Sequence, residues 1–503
     1  MCLFSILINI CLLNIVTSFN LTIIHTNDVH ARYDDMNTFA GQCTDPSRKC
    51  YGGMARLKYK VDEIRALYKN VLFLDAGDQY QGTIWFTEHG GTIVHTFMNL
   101  LGYSVMALGN HEFDRGISGL LPLLDNAKFP ILSCNIDTSR EPSIKNKILK
   151  HVNITVDGED IGVIGYTTKD TPYISNPGNL IFLDEITSIK TEVNILKNKG
   201  VNKIIALGHA GFAVDKKIAE IEGIDIVIGG HTNTFLYTGA EPSNEKPVSV
   251  YPTVITQSNG DRVLVVQDYA FAKYLGFLQV QFDSSGKVTS FGGNPILLDY
   301  TVPKGISYVK IIRFRKVCNK QLCKDYTLLL IVGNLITDAL VHQNLLHADS
   351  VDGTKVFISI LNSGSIRSSF VPGNITIGHA IAAQPFRNTV ETVRLRGDYL
   401  LQALERSVDQ YNSEDPGGQF LQYSGKVKYD LSKPPSQRVV EAYAICQNCT
   451  IPKFEPIGKN EHYWIILPNF ILSGGDKYTM IRDNAEQSHT VGKFVSLNGY
   501  PVT

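Results

Sequence analysis

Five places in the sequence set side chains capable of metal or acid–base chemistry directly after a short apolar run. Leu21–His25 leads into Asn27-Asp28-Val29-His30, and Val71–Leu74 into Asp75-Ala76-Gly77-Asp78. Val105–Leu108 leads into Gly109-Asn110-His111-Glu112-Phe113-Asp114. Ile204–Leu207 leads into Gly208-His209-Ala210, and Ile226–Ile228 into Gly229-Gly230-His231-Thr232-Asn233. Carboxylate, imidazole and amide-oxygen donors together suit borderline divalent metals such as zinc, manganese or iron. Two ions held side by side need one bridging carboxylate and a few terminal ligands each. Such a pair acidifies a bound water and clamps a phosphoryl oxygen. Singly, each word is ordinary: Asp-x-His usually faces solvent, Gly-Asp is a common turn, and Gly-His-Ala can hold a structural histidine. Their recurrence in order, each closing an apolar run, is what points to one shared site.

For these residues to meet, the runs before them must be strands of a common layer. All five are short and rich in Val, Ile and Leu, and Ile131–Cys134 reads the same way. In a parallel sheet the crevice beyond the carboxyl ends of the strands is where ligands bind. Between the strands, Leu57, Val61, Ile64 and Leu67/Tyr68 fall on one helical face, as do Ile186, Ile189, Val193 and Leu196, with Gly200 placed to stop that helix. Asp157-Gly158 between alternating runs predicts a hairpin. Residues 19–300 therefore read as a layered α/β domain with much of its sheet covered on both faces. Residues 333–503 read as a second α/β domain. Its helices are expected over Leu335–Leu346 and Tyr399–Val408, and its strands over Val356–Leu361, Thr389–Leu395, Arg438–Ala444 and Tyr463–Leu467. The stretch 301–332 reads as a linker, and its basic cluster Lys310, Arg313, Arg315 and Lys316 as a solvated face rather than a nucleic-acid patch.

Composition narrows the classes of function. The 503-residue chain is 44% hydrophobic and 19% charged, with a formal net charge of −1. That is globular composition, not disordered or fibrous. So neutral a chain has no global field for nucleic acid or anionic membrane. Residues 1–18 carry no charged side chain and hold one apolar run, Leu3 to Val16, followed by Thr17-Ser18. They read as a secretory signal peptide, short for a membrane span. The end of the sequence has no hydrophobic tail of the lipid-anchor type. The expected product is secreted and unanchored; its oligomeric state is left open. Two of the nine cysteines fall in the signal segment. Six others form the close pairs Cys43/Cys50, Cys318/Cys323 and Cys446/Cys449, expected as small-loop disulfides, and Cys134 is expected as a buried thiol. Asn20, Asn153, Asn374 and Asn448 head glycosylation sequons.

The order Asp28-x-His30, Gly77-Asp78, Gly109-Asn110-His111-Glu112, Gly208-His209 and Gly230-His231 resembles the metallophosphoesterase family. The longer words Leu74–Thr83 and Gly109–Asp114 resemble its 5'-nucleotidase branch, which includes ecto-5'-nucleotidases and the secreted salivary apyrases of blood-feeding arthropods. The resemblance covers nearly all of the chain after the signal segment except 301–332. It implies two divalent ions, zinc foremost, with manganese, calcium or magnesium as alternatives. Asp28, His30 and Asn233 match ligands of the first ion, Asn110, His209 and His231 those of the second, and Asp78 the bridge. His111 and Asp114 match a catalytic dyad, with the imidazole on the phosphoryl group and the carboxylate orienting it. An imidazole can donate to a phosphoryl oxygen while its other nitrogen is held.

In the second domain, Leu361-Asn362-Ser363-Gly364-Ser365-Ile366-Arg367 resembles the family's nucleotide-binding segment. Asn362 is thereby implied in substrate binding, and Arg367 in phosphate contact. Pro385-Phe386 and Pro468-Asn469-Phe470 match two aromatics that sandwich the base, an interaction of ~1–3 kcal/mol per base in single-strand binders. Gly474-Gly475-Asp476 matches the carboxylate that binds ribose. The resemblance implies release of phosphate from nucleoside 5'-monophosphates, with ATP/ADP hydrolysis as the alternative. The absent anchor signal favours that alternative, because the salivary apyrases are soluble. One departure stands out. The family's disulfide loop before Gly-Asn-Leu carries a phosphate-binding Arg. Here the nearest two-Cys word, Cys318-Asn319-Lys320-Gln321-Leu322-Cys323, has Lys320 instead, a point charge rather than a fork. That departure keeps a non-catalytic nucleotide-binding scavenger open as a third reading.

Overall fold

Side chains along the first strands alternate between two cores, as a period of two requires. In β1 (Phe19–Thr26), β2 (Val71–Asp75), β3 (Val105–Ala107) and β4 (Ile131–Leu132), the residues Ile23, Leu72, Leu74, Val105 and Leu132 enter one core. Ile24, Phe73, Met106 and Ile131 enter the other. The computed structural model describes residues 18–38, 40–43, 49–304, 332–346, 356, 358–368, 376–411, 417–446 and 453–493. β1 to β4 are parallel neighbours. Two short strands, β5 (Ile136–Asp137) and β8 (Ile181–Phe182), pair separately.

A second sheet runs β11 (Thr253–Thr256), β12 (Arg262–Val266), β10 (Ile226–Ile228), β9 (Ile204–His209), β7 (Glu159–Thr167) and β6 (His151–Val156). Its four inner strands are parallel. The first sheet is completed from far down the chain by β13 (Tyr274–Phe282), antiparallel to β1, with β14 (Val288–Gly293) and β15 (Ile296–Leu297) beyond it. The two sheets share a core in which Leu74, Val105 and Ala107 meet Val163, Ile205 and Leu207. Helices Met54–Leu67, Gly91–Leu101 and Gly116–Asn126 cover the outer face of the first sheet through Leu57, Val61, Val94, Met98 and Leu120. Helices Glu185–Asn198 and Phe212–Ala219 pack Ile189, Val193, Leu196 and Ile218 against the second. The layers run helix, sheet, sheet, helix, and five strands from the two sheets point their carboxyl ends to one edge.

The second domain is a mixed sheet, ordered β18 (Leu421–Tyr423), β16 (Ile358–Asn362), β22 (His462–Pro468), β17 (Thr389–Arg396) and β23 (Glu486–Lys493). A smaller sheet joins β19 (Lys426–Tyr429), β20 (Val439–Ile445) and β21 (Phe454–Pro456). Helix Gly397–Asp409 buries Leu400, Ala403 and Leu404 against Ile358, Val393 and Ile465.

Several expectations shift in detail. The helical face expected to reach Leu67/Tyr68 ends at Ile64, because Leu67 is 71% exposed and Tyr68 is already extended. Helix Val332–Leu346 begins at the edge of the stretch read as a linker. Asp157 and Gly158 both take positive φ, 51° and 83°, between Val156 and Glu159, the turn chemistry that a tight hairpin demands. Cys43 and Cys50 are bonded, Cys134 is a buried free thiol, and Cys446 is disulfide-bonded. Residues 1–17, the basic cluster, Cys318, Lys320, Cys323, Cys449, Asn374 and Asn448 lie outside the described residues.

The sheets approach closely at Gly165 of β7, where a Cβ would sit 2.3 Å from Leu132 Cβ. Gly165→Val forces the layers apart. Overpacking of this kind costs roughly 1–3 kcal/mol, so the variant is expected to unfold at lower urea than the parent. An unchanged midpoint would refute the close contact.

Candidate active site

The loops after β1, β2 and β10 adopt a conformation that L-residues avoid. Asp28 (φ 51°), His30 (51°), Asp78 (60°), His231 (81°) and Asn233 (51°) are all left-handed. Strain of this kind persists only where neighbouring structure enforces it. Here the enforcement is visible. Asp28 N donates to Gly77 O and His30 N to Asp78 O, each at 3.0 Å, so the first two loops run together. The buried Glu112 carboxylate then ties the second loop to the third. It accepts the backbone N–H of Gly109 (2.7 Å), Gln79 (2.8 Å), Asp78 (3.0 Å) and Tyr80 (3.1 Å). Gly109 has no room for a side chain, since a Cβ would stand 2.2 Å from Asp78 Oδ1.

Asp78 lies at the centre of what these loops assemble. Its Oδ2 is 2.9 Å from His209 Nε2, 3.8 Å from His30 Nε2 and 3.9 Å from His111 Nε2. Asp28 Oδ1 stands 3.7 Å from Nε2 of both His30 and His209. His30, Asp78 and His111 form one group of converging donor atoms and Asp78, His209 and His231 another, with Asp78 common to both. The imidazoles are aimed by their far nitrogens. His30 Nδ1 is bonded to Tyr80 O at 3.0 Å and His209 Nδ1 to Ala76 O at 2.7 Å, which leaves each Nε2 facing inward. His231 is brought in by its own N–H, which donates to Asp28 Oδ2 at 2.9 Å.

The donor set fits divalent cations. Asn110 Oδ1 and Asn233 Oδ1 are buried without a hydrogen-bond partner. Such atoms are rare unless something else satisfies them. Two buried carboxylates beside four imidazoles also distort one another's titration. Burial alone would favour neutral Asp78, but His209, His111 and His30 hold its pKa well below the carboxylate range. Burial likewise opposes a charged His209, yet Asp78 and Asp28 push its pKa up to about 10. Burial and the neighbouring His209 push His231 down to about 3. Burial and Arg367 hold His30 well below the ordinary value.

His111 and Asp114 stand beside this cradle. His111 N donates to Asp78 Oδ1 at 2.9 Å, and its Nδ1 meets Asp114 Oδ2 at 2.8 Å. Asp114 is itself held by Gln81 Nε2 (3.0 Å) and Ser175 Oγ (2.8 Å). Burial works against protonation of His111, but the Asp114 and Asp78 carboxylates outweigh it and raise its pKa. The opposite wall comes from the second domain. Arg367 Nη2 donates to His30 Nε2 at 2.6 Å, and Phe386 lies 5.7 Å from the His111 ring. Asn362 Nδ2 donates to Asp476 Oδ2 at 2.8 Å, and burial lifts the Asp476 pKa to about 6. Between the walls is a cleft of about 860 Å³, lined by Asp78, His111 and Asn233 on one side and Arg367, Phe386, Phe470 and Asp476 on the other. Arg387 Nη2 to Thr87 O and Lys477 Nζ to Asp170 Oδ2, both 2.8 Å, tie the domains together.

All fourteen residues singled out from the sequence therefore border one crevice or its floor. Glu112, Gln81 and Ser175 carry supporting roles that sequence reasoning missed. Glu112 and Gln81 lie inside words already noted, but nothing in those words says which amides they reach. Ser175 has no local signal at all.

Comparison with known proteins follows this division. Residues 21–235 match the family described as calcineurin-like phosphoesterase, and 307–483 the family described as 5'-nucleotidase, C-terminal domain. The human 5'-nucleotidase is 46% identical over 492 residues, covering 93% of this chain and 85% of its own. The snake venom 5'-nucleotidase of Naja atra is 45% identical over 509 residues, covering 96% of this chain and 95% of its own. Among solved structures, the 5'-nucleotidase precursor of Thermus thermophilus superposes with a TM-score of 0.85 at 34% identity, covering 95% of this chain and 94% of that one.

The Glu112 clamp is open to test. Glu112→Gln turns one acceptor into an NH₂ that faces backbone donors, a loss of about 3 kcal/mol. Lower thermal stability and less bound divalent metal per chain are expected, by calorimetry and elemental analysis. Parent-like values for both would show the clamp to be dispensable.

Proposed function

Since the chain belongs to the 5'-nucleotidase family of calcineurin-like phosphoesterases, we propose that it releases phosphate from nucleoside 5'-monophosphates in the cleft between its two domains. The observation that carries this reading is Asp78, shared by two groups of imidazoles and faced by Arg367 and two aromatics across the cleft. The fold implies divalent metal ions; our assignment is of two, zinc foremost. Asp28, His30 and Asn233 would hold one, Asn110, His209 and His231 the other, and Asp78 both. When bound, such ions supply an acidified water and neutralise charge at the phosphoryl oxygens.

The remaining work falls to the chain's own side chains. With Nδ1 bonded to Asp114, the imidazolium form of His111 carries its other proton on Nε2, and the Asp114 and Asp78 carboxylates favour that form. That proton can be donated to an oxygen on which charge grows as phosphorus is attacked. Arg367 offers a planar fork to the phosphate. Phe386 and Phe470 both line the cleft, and no ring contact joins them among the described residues. A base can stack between them. Asp476, bonded to Asn362, is the acceptor for ribose hydroxyls.

The finer assignments also belong to this reading. The metallophosphoesterase domain is taken as 19–300, the linker as 301–332 and the substrate domain as 333–503. The substrate is a free nucleotide, not nucleic acid. The protein is secreted. No described helix is long and apolar enough to cross a membrane, and a relative of nearly the same span is a snake venom enzyme. The venom relative supports that address.

Phosphate release from AMP, ADP and ATP, measured with added divalent metal and after chelation, tests the proposal. AMP should be the preferred substrate, chelator should abolish turnover, and added metal should restore it. Preference for ATP and ADP would make the protein an apyrase. Stoichiometric binding without release would make it a scavenger. His111→Ala is expected to lower kcat on AMP by about 10²–10³, the scale for loss of one transition-state donor. Undiminished turnover would remove His111 from the mechanism.

A further inference from the structure

Arg32 follows His30 by two residues and has no part in the chemistry described so far. Its side chain is 3% exposed and makes no salt bridge among the described residues. A buried guanidinium without a carboxylate is an expensive feature, and its contacts indicate its use. Nη1 donates to Gly82 O, and the guanidinium lies 4.9 Å from the centre of the Phe271 ring. Nη2 crosses to the second domain and donates to the backbone carbonyl of Arg367 at 2.8 Å.

Arg367 is thereby held from both sides of the cleft. Its amide donates to Ala383 O at 2.9 Å within its own domain. Its carbonyl takes Arg32, and its guanidinium meets His30 Nε2 at 2.6 Å. Arg32, in one three-residue turn with His30, thus holds Arg367 at the main chain, a contact independent of His30 Nε2, which a bound metal would claim. The turn is stiff. His30 and Ala31 are left-handed at 51° and 49°, Ala31 N donates to Gln79 O at 2.9 Å, and Thr83 Oγ1 donates to Ala31 O at 2.6 Å. Phe271 is fixed in turn by its own N–H, which donates to Asp28 O at 2.8 Å.

We infer that Arg32 is a positioning residue for substrate phosphate, acting through Arg367 across the domain boundary. This rests on the reading of Arg367 as the phosphate contact. A guanidinium fork matches phosphate oxygens only in a narrow range of orientations, and a fixed main chain removes one source of drift. Lysine at this position cannot serve Gly82 O and the Arg367 carbonyl with the same planar geometry.

A double-mutant cycle tests the inference, using the metal-loaded full chain. Arg32→Lys is expected to raise KM for AMP about tenfold with kcat changed by less than about twofold, the signature of lost uniform binding. The Kd for AMP, measured calorimetrically in chelator where no turnover occurs, should rise by a similar factor. Melting temperature and metal content should stay at parent values. In an Arg367→Ala background, adding Arg32→Lys should cost nothing more, because interacting residues are non-additive. Additive losses, or an unchanged KM in Arg32→Lys, overturn the inference. So does a loss of stability or metal in both Arg32→Lys and Arg32→Met, which would assign Arg32 to the scaffold. Absence of phosphate release by the parent chain, with the coupling in Kd intact, would instead fault the hydrolase reading and leave Arg32 in its role.

Discussion

A buried carboxylate with three imidazoles around it is the constraint on which the first domain depends. Asp78 is 2% exposed, and His209, His30 and His111 all approach its Oδ2 within 4 Å. A charge so placed is tolerable only with partners in good geometry. Much of the surrounding architecture supplies that geometry. The parallel strands of two mixed sheets bring five carboxyl ends to one edge, left-handed turns swing the donors inward, and Glu112 stitches two of the loops through four amides. Weakening any of these leaves a charge in a low-dielectric site without compensation, which is why the supporting contacts are as specific as the donors.

The second domain contributes a guanidinium set against the first domain's donors and two aromatic rings in the lining of the cleft. Arg367 sits 2.6 Å from His30, so its guanidinium shares the electrostatic field of Asp28 and Asp78. Phe386 approaches His111, and Asp476 stands further along the same cleft. The cluster of donors and the facing guanidinium therefore sit on different domains, and the Thr87–Arg387, Asp170–Lys477 and Arg32–Arg367 contacts hold the walls together.

Much of this could be read before any coordinates, and the reason is local. Each donor directly follows an apolar run, so the strand and the chemistry it carries are adjacent in sequence. The His111–Asp114 pair lies three residues apart on one short turn, and Asp157-Gly158 needs only two residues to declare a hairpin. Contacts made between distant segments were not legible. Nothing near Glu112 tells which four amides its carboxylate will accept, and Ser175 reaches Asp114 only because two loops are packed together. Nothing beside Arg32 in the sequence signals the Arg367 carbonyl it reaches in the second domain. The helical face drawn through Leu67 and Tyr68 failed because Leu67 turns to solvent and Tyr68 has already left the helix.

Strand order has a consequence for how the protein is made. β1 finds one of its two neighbours at once in β2, but the other is β13, with Phe19 opposite Phe282. The loop holding Asp28 is likewise braced by Tyr269 and Phe271. A ribosome delivers the chain from its amino terminus. The nascent first sheet therefore carries an open edge, and an unbraced half of the cradle, until more than half of the polypeptide has been synthesised. Unpaired edges of that kind invite wrong pairing, which makes the interval before β13 emerges the period when this fold is most exposed to misassembly.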